Sequence, residues 1–268
     1  MYILGIETTG PVGSVALYDL DDDRPIAQKT TEEPMGHLRN LMAMASDLLE
    51  EAGAVPSDIQ LVACSVGPGS YTGIRIGVTS ARAIAQALDV PCVPVGALDQ
   101  FRQVALRIGK PLAVIFNARR GQVYGAVYRC EERDRTLDHD AAFKAQVVDV
   151  LPPGPYMLTD VLEKTADLPG VIFYGDGVDA YREQMDGMTL APETERYQTA
   201  ELTVQAAISD LLHAAEAKAE APEELEPGTT TFRELLPRYM RETEAEQKLK
   251  DGTLAKLRAA KMAKFRSR

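Results

Sequence analysis

Residues 2–7, apolar up to Ile6 and ending in Glu7, alternate poorly, which predicts a buried strand. Gly10-Pro11 punctuates it, Ser14 to Tyr18 reads as a second strand, and Asp21-Asp22-Asp23 makes a polar turn into a third near Pro25–Thr30. This is a β-meander. Leu38, Leu41, Met42, Ala45, Leu48, Leu49 and Ala52 then recur at spacings of three and four, one stripe of a helix that Gly53 ends. Met35 and Met44 lie off that stripe and predict a second apolar face. Leu61-Val62-Ala63 predicts a buried strand, and a second helix runs from about Gly73 to Leu88. Its Ile74, Val78, Ala81, Ala85 and Leu88 share one face, while Ile76, Gly77, Ser80, Ala83 and Ala87 occupy much of the rest. A helix that is apolar or small on most sides is central or lies at an interface.

Further along, Pro91 to Val95 reads as a strand and Ala97 to Arg107 as a helix. Strands at Leu112–Asn117 and Gln122–Arg129 flank the turn Ala118-Arg119-Arg120-Gly121, and the charged segment 130–140 reads as a loop. Residues 145–150, 159–164, 171–175 and 180–185 suggest strand, helix, strand, helix. An alanine-rich helix spans Glu201 to Lys218, followed by an acidic, proline-bearing connection at 221–227. The class is α/β without short tandem repeats, and the length accommodates two lobes with a boundary near 100–110.

Charge changes the picture at one end. The chain carries −11, yet Lys248 to Arg268 holds eight basic residues and one acidic, a net +7 that leaves residues 1–247 at −18. So acidic a body repels nucleic-acid phosphates, and RNA contact is expected only through the tail or a partner. No run of about 18 apolar residues suits a membrane span. The first residues lack a basic stretch followed by an apolar one. Three scattered cysteines, Cys64, Cys92 and Cys130, form no CxxC or disulfide framework. These features lead us to expect a cytoplasmic protein with no membrane partner.

The chemistry-bearing candidates are few. Ser65-Val66-Gly67-Pro68-Gly69-Ser70-Tyr71-Thr72-Gly73-Ile74-Arg75-Ile76-Gly77 joins a strand to a helix. Such a junction aims backbone N–H groups at one point, so the loop is either an anion cradle or a tight turn. It lacks the lysine of a GxxxxGK[ST] phosphate loop. Glu7-Thr8-Thr9-Gly10 ends the first strand with a carboxylate and two hydroxyls, a candidate metal-phosphate turn. Glu7, Thr8, Thr9, Gly67, Gly69 and Gly73 are therefore the candidate nucleotide-binding residues, with ATP or ADP the cofactor in question. His37, His139 and His213 are isolated, no HxxxH or HExxH is present, and Cys64 has no evident histidine partner. No metal site and no catalytic residue is assigned.

Ile3 to Thr9, His37-Leu38 with its helix, the Ser65–Gly77 run, Val95-Gly96-Ala97-Leu98, Asn117 to Tyr124 and Pro237-Arg238-Tyr239-Met240-Arg241 together resemble the TsaB (YeaZ) family over about residues 1–245. The resemblance implies an actin-like/Hsp70-like ATPase fold, related to ribonuclease H, with two lobes each built on a mixed sheet flanked by helices. The expected division is an N-terminal lobe at 1–105, a C-terminal lobe at 106–245 and a basic tail at 246–268. The implied role is non-catalytic: a scaffold that activates its paralogue TsaD in tRNA N6-threonylcarbamoyladenosine formation next to the anticodon. TsaE is a further partner, and tRNA is met indirectly.

The family docks through two apolar N-terminal helices, in a homodimer or with TsaD. Here that surface comprises Met35, Leu38, Met42, Met44, Ile76, Gly77, Ser80, Ala83 and Ala87. Methionine suits a surface that accepts different partners. Two positions depart from the family pattern. Asn117 and Gln122 stand where acidic residues are usual, which weakens any metal role for that turn. The alternative is a small-molecule kinase or ATPase of the same fold using Glu7 and the threonines; a metallopeptidase lacks its ligands. On balance the Gly-rich loop is expected to be a turn that positions the second helix, with anion binding an inherited option.

Overall fold

The computed structural model describes residues 1–31, 37–132, 145–220 and 228–241, without the side chains of 37–39 and 216–220. Residues 1–238 form one compact unit and 239–268 a second, of which 239–241 are described. Met35, His139, the 221–227 connection and the basic tail fall outside the described residues, as do the side chains of His37 and Leu38.

The meander forms as expected, with β1 (Tyr2–Glu7), β2 (Ser14–Asp19) and β3 (Arg24–Thr30). After α1 (His37–Glu51) come β4 (Ile59–Gly67), α2 (Tyr71–Leu88) and β5 (Cys92–Gly96). The first sheet has the order β3-β2-β1-β4-β5. Its β1–β2 and β2–β3 pairs are antiparallel and its β1–β4 and β4–β5 pairs parallel. β4 is buried at all but one position because both sheet faces are covered. Leu41, Leu48, Ile74, Val78 and Ala81 of α1 and α2 pack on one face against Leu4, Ile6 and Val62. The other face carries Ile3, Ala63 and Val95 against α6 (Ala200–Glu220).

α3 (Phe101–Ile108) leads to β6 (Leu112–Asn117), β7 (Gln122–Glu132), β8 (Ala145–Met157), α4 (Leu158–Thr165), β9 (Ile172–Tyr174), α5 (Gly177–Ala180) and β10 (Thr189–Leu190). The second sheet has the order β10-β9-β6-β7-β8. The β6–β7 and β7–β8 pairs are antiparallel and the β6–β9 and β9–β10 pairs parallel. Counted from its own first strand, each sheet has the order 3-2-1-4-5 with the same strand directions. The fold is thus a two-lobe α/β fold that uses one topology twice. α4 packs on one face of the second sheet, and on the other Phe101 of α3 meets Phe116 and Tyr174 at ring-centroid distances of 6.0 and 5.7 Å.

Three expected elements differ. α3 begins at Phe101, not Ala97, because 97–100 form a turn tied to the N-terminal lobe, Ala97 N donating to Gly67 O at 2.9 Å. β8 continues beyond 150 through Pro152-Pro153-Gly154-Pro155. As an edge strand it loses little by lacking those N–H donors. The helix expected at 180–185 is instead α5 followed by a 3-10 turn at Arg182–Met185.

A strap at 228–238 closes the free edge of the first sheet. Cys92 and Thr230 exchange both backbone hydrogen bonds (2.8 and 2.7 Å), Leu235 is fully buried in the core, and Arg238 N donates to Val66 O at 2.8 Å.

Candidate functional site

The two turns singled out in the sequence meet. β1 and β4 are parallel neighbours, so the Glu7-Thr8-Thr9 turn at the end of β1 lies beside the loop that leaves β4. Ser70 N donates to Thr9 O at 2.8 Å, and the Thr8 hydroxyl donates to Gly73 O at 2.7 Å. Ser70 caps α2, its Oγ accepting from Gly73 N at 3.2 Å. The glycines let the two backbones touch. A Cβ on Gly73 would lie 1.9 Å from Thr8 O, one on Gly69 2.3 Å from Thr9 O, and one on Gly77 2.3 Å from Thr8 Oγ1. Gly67, at φ +109°, sits against the Arg238 carbonyl. Each candidate cradle glycine therefore faces this chain's own atoms.

Glu7, Thr8 and Thr9 are all buried. One Glu7 oxygen accepts from the Thr9 hydroxyl (2.6 Å) and Thr9 N; the other accepts from Gln100 Nε2 at 2.6 Å. That amide nitrogen also reaches Ser65 Oγ at 3.2 Å, and Gln198 Nε2 reaches Thr9 Oγ1 at 3.4 Å. Glu7 has no cationic partner among the described residues; hydrogen bonds alone hold its charge. The Oε1 atoms of Gln100 and Gln198 are buried without a hydrogen-bond partner among the described residues. Of the donors at this junction, Ser70 N and Gly73 N are committed to this chain's own atoms, and the orphaned atoms of Gln100 and Gln198 are acceptors.

Sequence reasoning missed Gln100 and Gln198. Lone glutamines carry no motif, and their partners lie 93 and 189 residues away. Burial, reinforced by the Glu7 charge, pushes the Cys64 thiol well up, so it stays protonated and inert.

In the second lobe the corresponding places are the β6–β7 turn and the β9–α5 junction. Asn117 ends β6 as Glu7 ends β1, and Gly175, at φ +93°, lies against Ile115 O as Gly69 lies against Thr9 O. Asp176 Oδ1 accepts from Asn117 N at 3.1 Å, and Asn117 Oδ1 accepts from Arg119 N at 2.8 Å. The Tyr181 hydroxyl donates to Gln122 O at 3.1 Å. Burial raises the Asp176 carboxyl above its ordinary value. No group of three or more His, Cys, Asp or Glu side chains among the described residues is placed to hold a metal ion.

The docking candidates divide. Met42 is 58% exposed, Ala83 and Ala87 are exposed, and Ile76 and Ser80 are half-buried. Met44 is 8% exposed and Gly77 is buried, so both belong to the core: Met44 falls between Leu41 and Leu48, and Gly77 presses on Thr8. Leu41, Ala45, Leu48 and Leu49 of the expected stripe are buried, and the correction is confined to the methionines, Met44 turning inward and Met42 outward.

Residues 32–249 match the family model described as TsaD, tRNA N6-adenosine threonylcarbamoyltransferase. A Bacillus subtilis relative, "tRNA threonylcarbamoyladenosine biosynthesis protein TsaB", is 32% identical over 188 residues, 69% of this chain and 76% of its own length. The chain belongs to the TsaB (YeaZ) family. The Escherichia coli TsaB is 34% identical over 152 residues, 55% of this chain and 64% of its own length. The structure of YeaZ from Pseudomonas aeruginosa superposes with a TM-score of 0.61 at 22% identity, covering 89% of this chain and 99% of that one, a likeness of fold. No described helix is long and apolar enough to cross a membrane.

Gly73→Ala drives a methyl group into the Thr8 carbonyl and should cost at least about 1–3 kcal/mol in urea unfolding; an unchanged midpoint would show that the turns are not locked. Asp176→Asn keeps the acceptor and removes the charge. Because the folded-state carboxyl is raised, the wild type loses stability as pH climbs through that value. The variant should be the more stable at pH 7, with the difference vanishing towards the ordinary value of 3.8. Urea titrations at pH 7, 5 and 4 check this, and a pH-independent difference would contradict it.

Proposed function

We propose that this chain is the non-catalytic partner of TsaD in forming N6-threonylcarbamoyladenosine on tRNA. The observation that carries the pathway is its relation to proteins named for tRNA threonylcarbamoyladenosine biosynthesis. What supports the non-catalytic part is the internal closure of the Glu7 turn on the Gly-rich loop, which leaves this chain's own residues bonded to one another. A phosphoryl-transfer site needs a base and a metal carboxylate open to substrate; Glu7 is buried and committed to Thr9 and Gln100.

In this reading the N-terminal lobe, 1–105, is the docking lobe. The outer faces of α1 and α2, with Met42, Ile76, Ser80, Ala83 and Ala87, meet TsaD or a second copy of this chain. Met35 and the side chain of Leu38, expected on this surface from the sequence, lie outside the described residues. Gly77 contributes by holding α2 against the Thr8 turn. The 106–245 lobe and the 246–268 tail complete the chain, TsaE joins the assembly, and the complex works in the cytoplasm. An acidic body of −18 over residues 1–247 repels tRNA, so contact with it runs through the partner or the basic tail.

The test uses TsaD from the same organism. Wild-type chain and TsaD should co-elute on a sizing column and modify tRNA together, the chain alone showing no modification. Ala83→Arg places a charge on an exposed position that folding tolerates, and should abolish co-elution with the melting curve unchanged. Full complex formation by Ala83→Arg would remove the helix interface, and modification by the isolated chain would overturn the non-catalytic role.

A further inference from the structure

Among the described residues, two segments carry the chain between the lobes. Residues 97–100 lead from β5 into α3, and residues 191–199 lead from β10 back into α6. They enter different cores. Phe101 of α3 packs on Phe116 and Tyr174 in the second lobe, and Ala200 of α6 packs with Ile3 and Ala63 in the first. A backbone amide docks each crossing on the first lobe: Ala97 N donates to Gly67 O at 2.9 Å, and Ala200 N to Ser14 Oγ at 2.8 Å.

Each crossing also sends a buried glutamine to the same turn. Gln100 Nε2 donates to Glu7 Oε2 at 2.6 Å. Gln198 lies against Gly10, where an added Cβ would meet its amide at 2.7 Å, and its Nε2 donates to Thr9 Oγ1 at 3.4 Å. The Thr9 hydroxyl in turn donates to Glu7 Oε1 at 2.6 Å. Bonds from both crossings therefore converge on one carboxylate, and a charged acceptor polarises and strengthens such a chain. The arrangement leaves Gln100 Oε1 and Gln198 Oε1 buried without a hydrogen-bond partner among the described residues. Burying an unsatisfied carbonyl is unfavourable, so the pull of Glu7 on the N–H side decides which way each amide faces.

We propose that Glu7 is a latch on both inter-lobe crossings: the two undock from the first lobe together, and hinge motion between the lobes is gated by this one side chain. The latch uses only this chain's own residues, so it stands or falls independently of the role with TsaD.

Amide hydrogen exchange of the full wild-type chain tests this in urea below the unfolding midpoint. Ala97 and Ala200 should merge onto one opening isotherm, lying below that of the paired strands β6 and β7. Two separate isotherms, or one shared with β6 and β7, would overturn the proposal. Variants of similar volume then test the coupling. Gln100→Met should quicken exchange at Ala200, and Gln198→Met at Ala97, each about tenfold or more, as expected for loss of a charge-assisted hydrogen bond. Glu7→Gln should quicken both, and by a larger factor than it quickens β6 and β7. The proposal also fails if each glutamine variant loosens only its own crossing, or if the crossings and β6–β7 quicken by the same factor.

Discussion

The N-terminal lobe depends on one close approach, the backbone of Thr8 and Thr9 pressed against the loop at 67–73. Gly69 and Gly73 permit it, two hydrogen bonds fasten it, and the carbonyl oxygens that fill those glycine faces belong to the turn that follows the first strand. The approach sets the direction in which α2 leaves the sheet, and so fixes which residues of that helix turn outward. Ile74, Val78 and Ala81 are drawn into the core, and Ala83 and Ala87 are left in solvent. The cost is a buried carboxylate, Glu7, which Thr9 and Gln100 stabilise with charge-assisted hydrogen bonds. Gln100 comes from the turn before α3, so the brace also ties the first sheet to the segment that enters the second lobe.

The second lobe repeats the plan with different chemistry. Where Glu7 stands in the first, Asn117 stands in the second, and its backbone N–H is held by Asp176. Carboxylate and strand end have changed places: in one lobe the acid ends the strand, in the other it follows the strand-to-helix junction. No repeat is visible in the residues, because a 3-2-1-4-5 sheet asks only for a buried central strand, a meander and a returning helix, and many sequences satisfy those demands. What survives is a glycine at each junction, Gly69 and Gly175, both at positive φ and each against a backbone carbonyl at the end of its lobe's first strand.

Legibility in the sequence followed the range of the forces involved. The meander, α1, β4 and α2 were readable because period-2 and period-3.6 patterns are local. The family and its two-lobe fold were readable from the long Gly-rich run. The buried face of α1 was readable in Leu41, Ala45, Leu48 and Leu49, but the placing of Met42 and Met44 was not, since the two are equally apolar and only packing against the core decides which turns in. The length of β8 was hidden by prolines that only an edge strand tolerates. The identity of the brace was least legible of all. Thr8 and Gly73 are 65 residues apart, and nothing local says that the glycine faces a carbonyl and not a phosphate.

The central claim is that the Gly-rich loop is a brace filled by this chain's own turn. Backbone amide NMR of the isolated, labelled chain tests it directly, following Thr9 and residues 67–73 while Mg-ATP is added to several millimolar. The account predicts that these resonances stay in place and that the Ser70 amide remains protected from exchange. Saturable shifts across Thr9, Gly69, Ser70 and Gly73 would contradict it and return the loop to the role of a phosphate cradle.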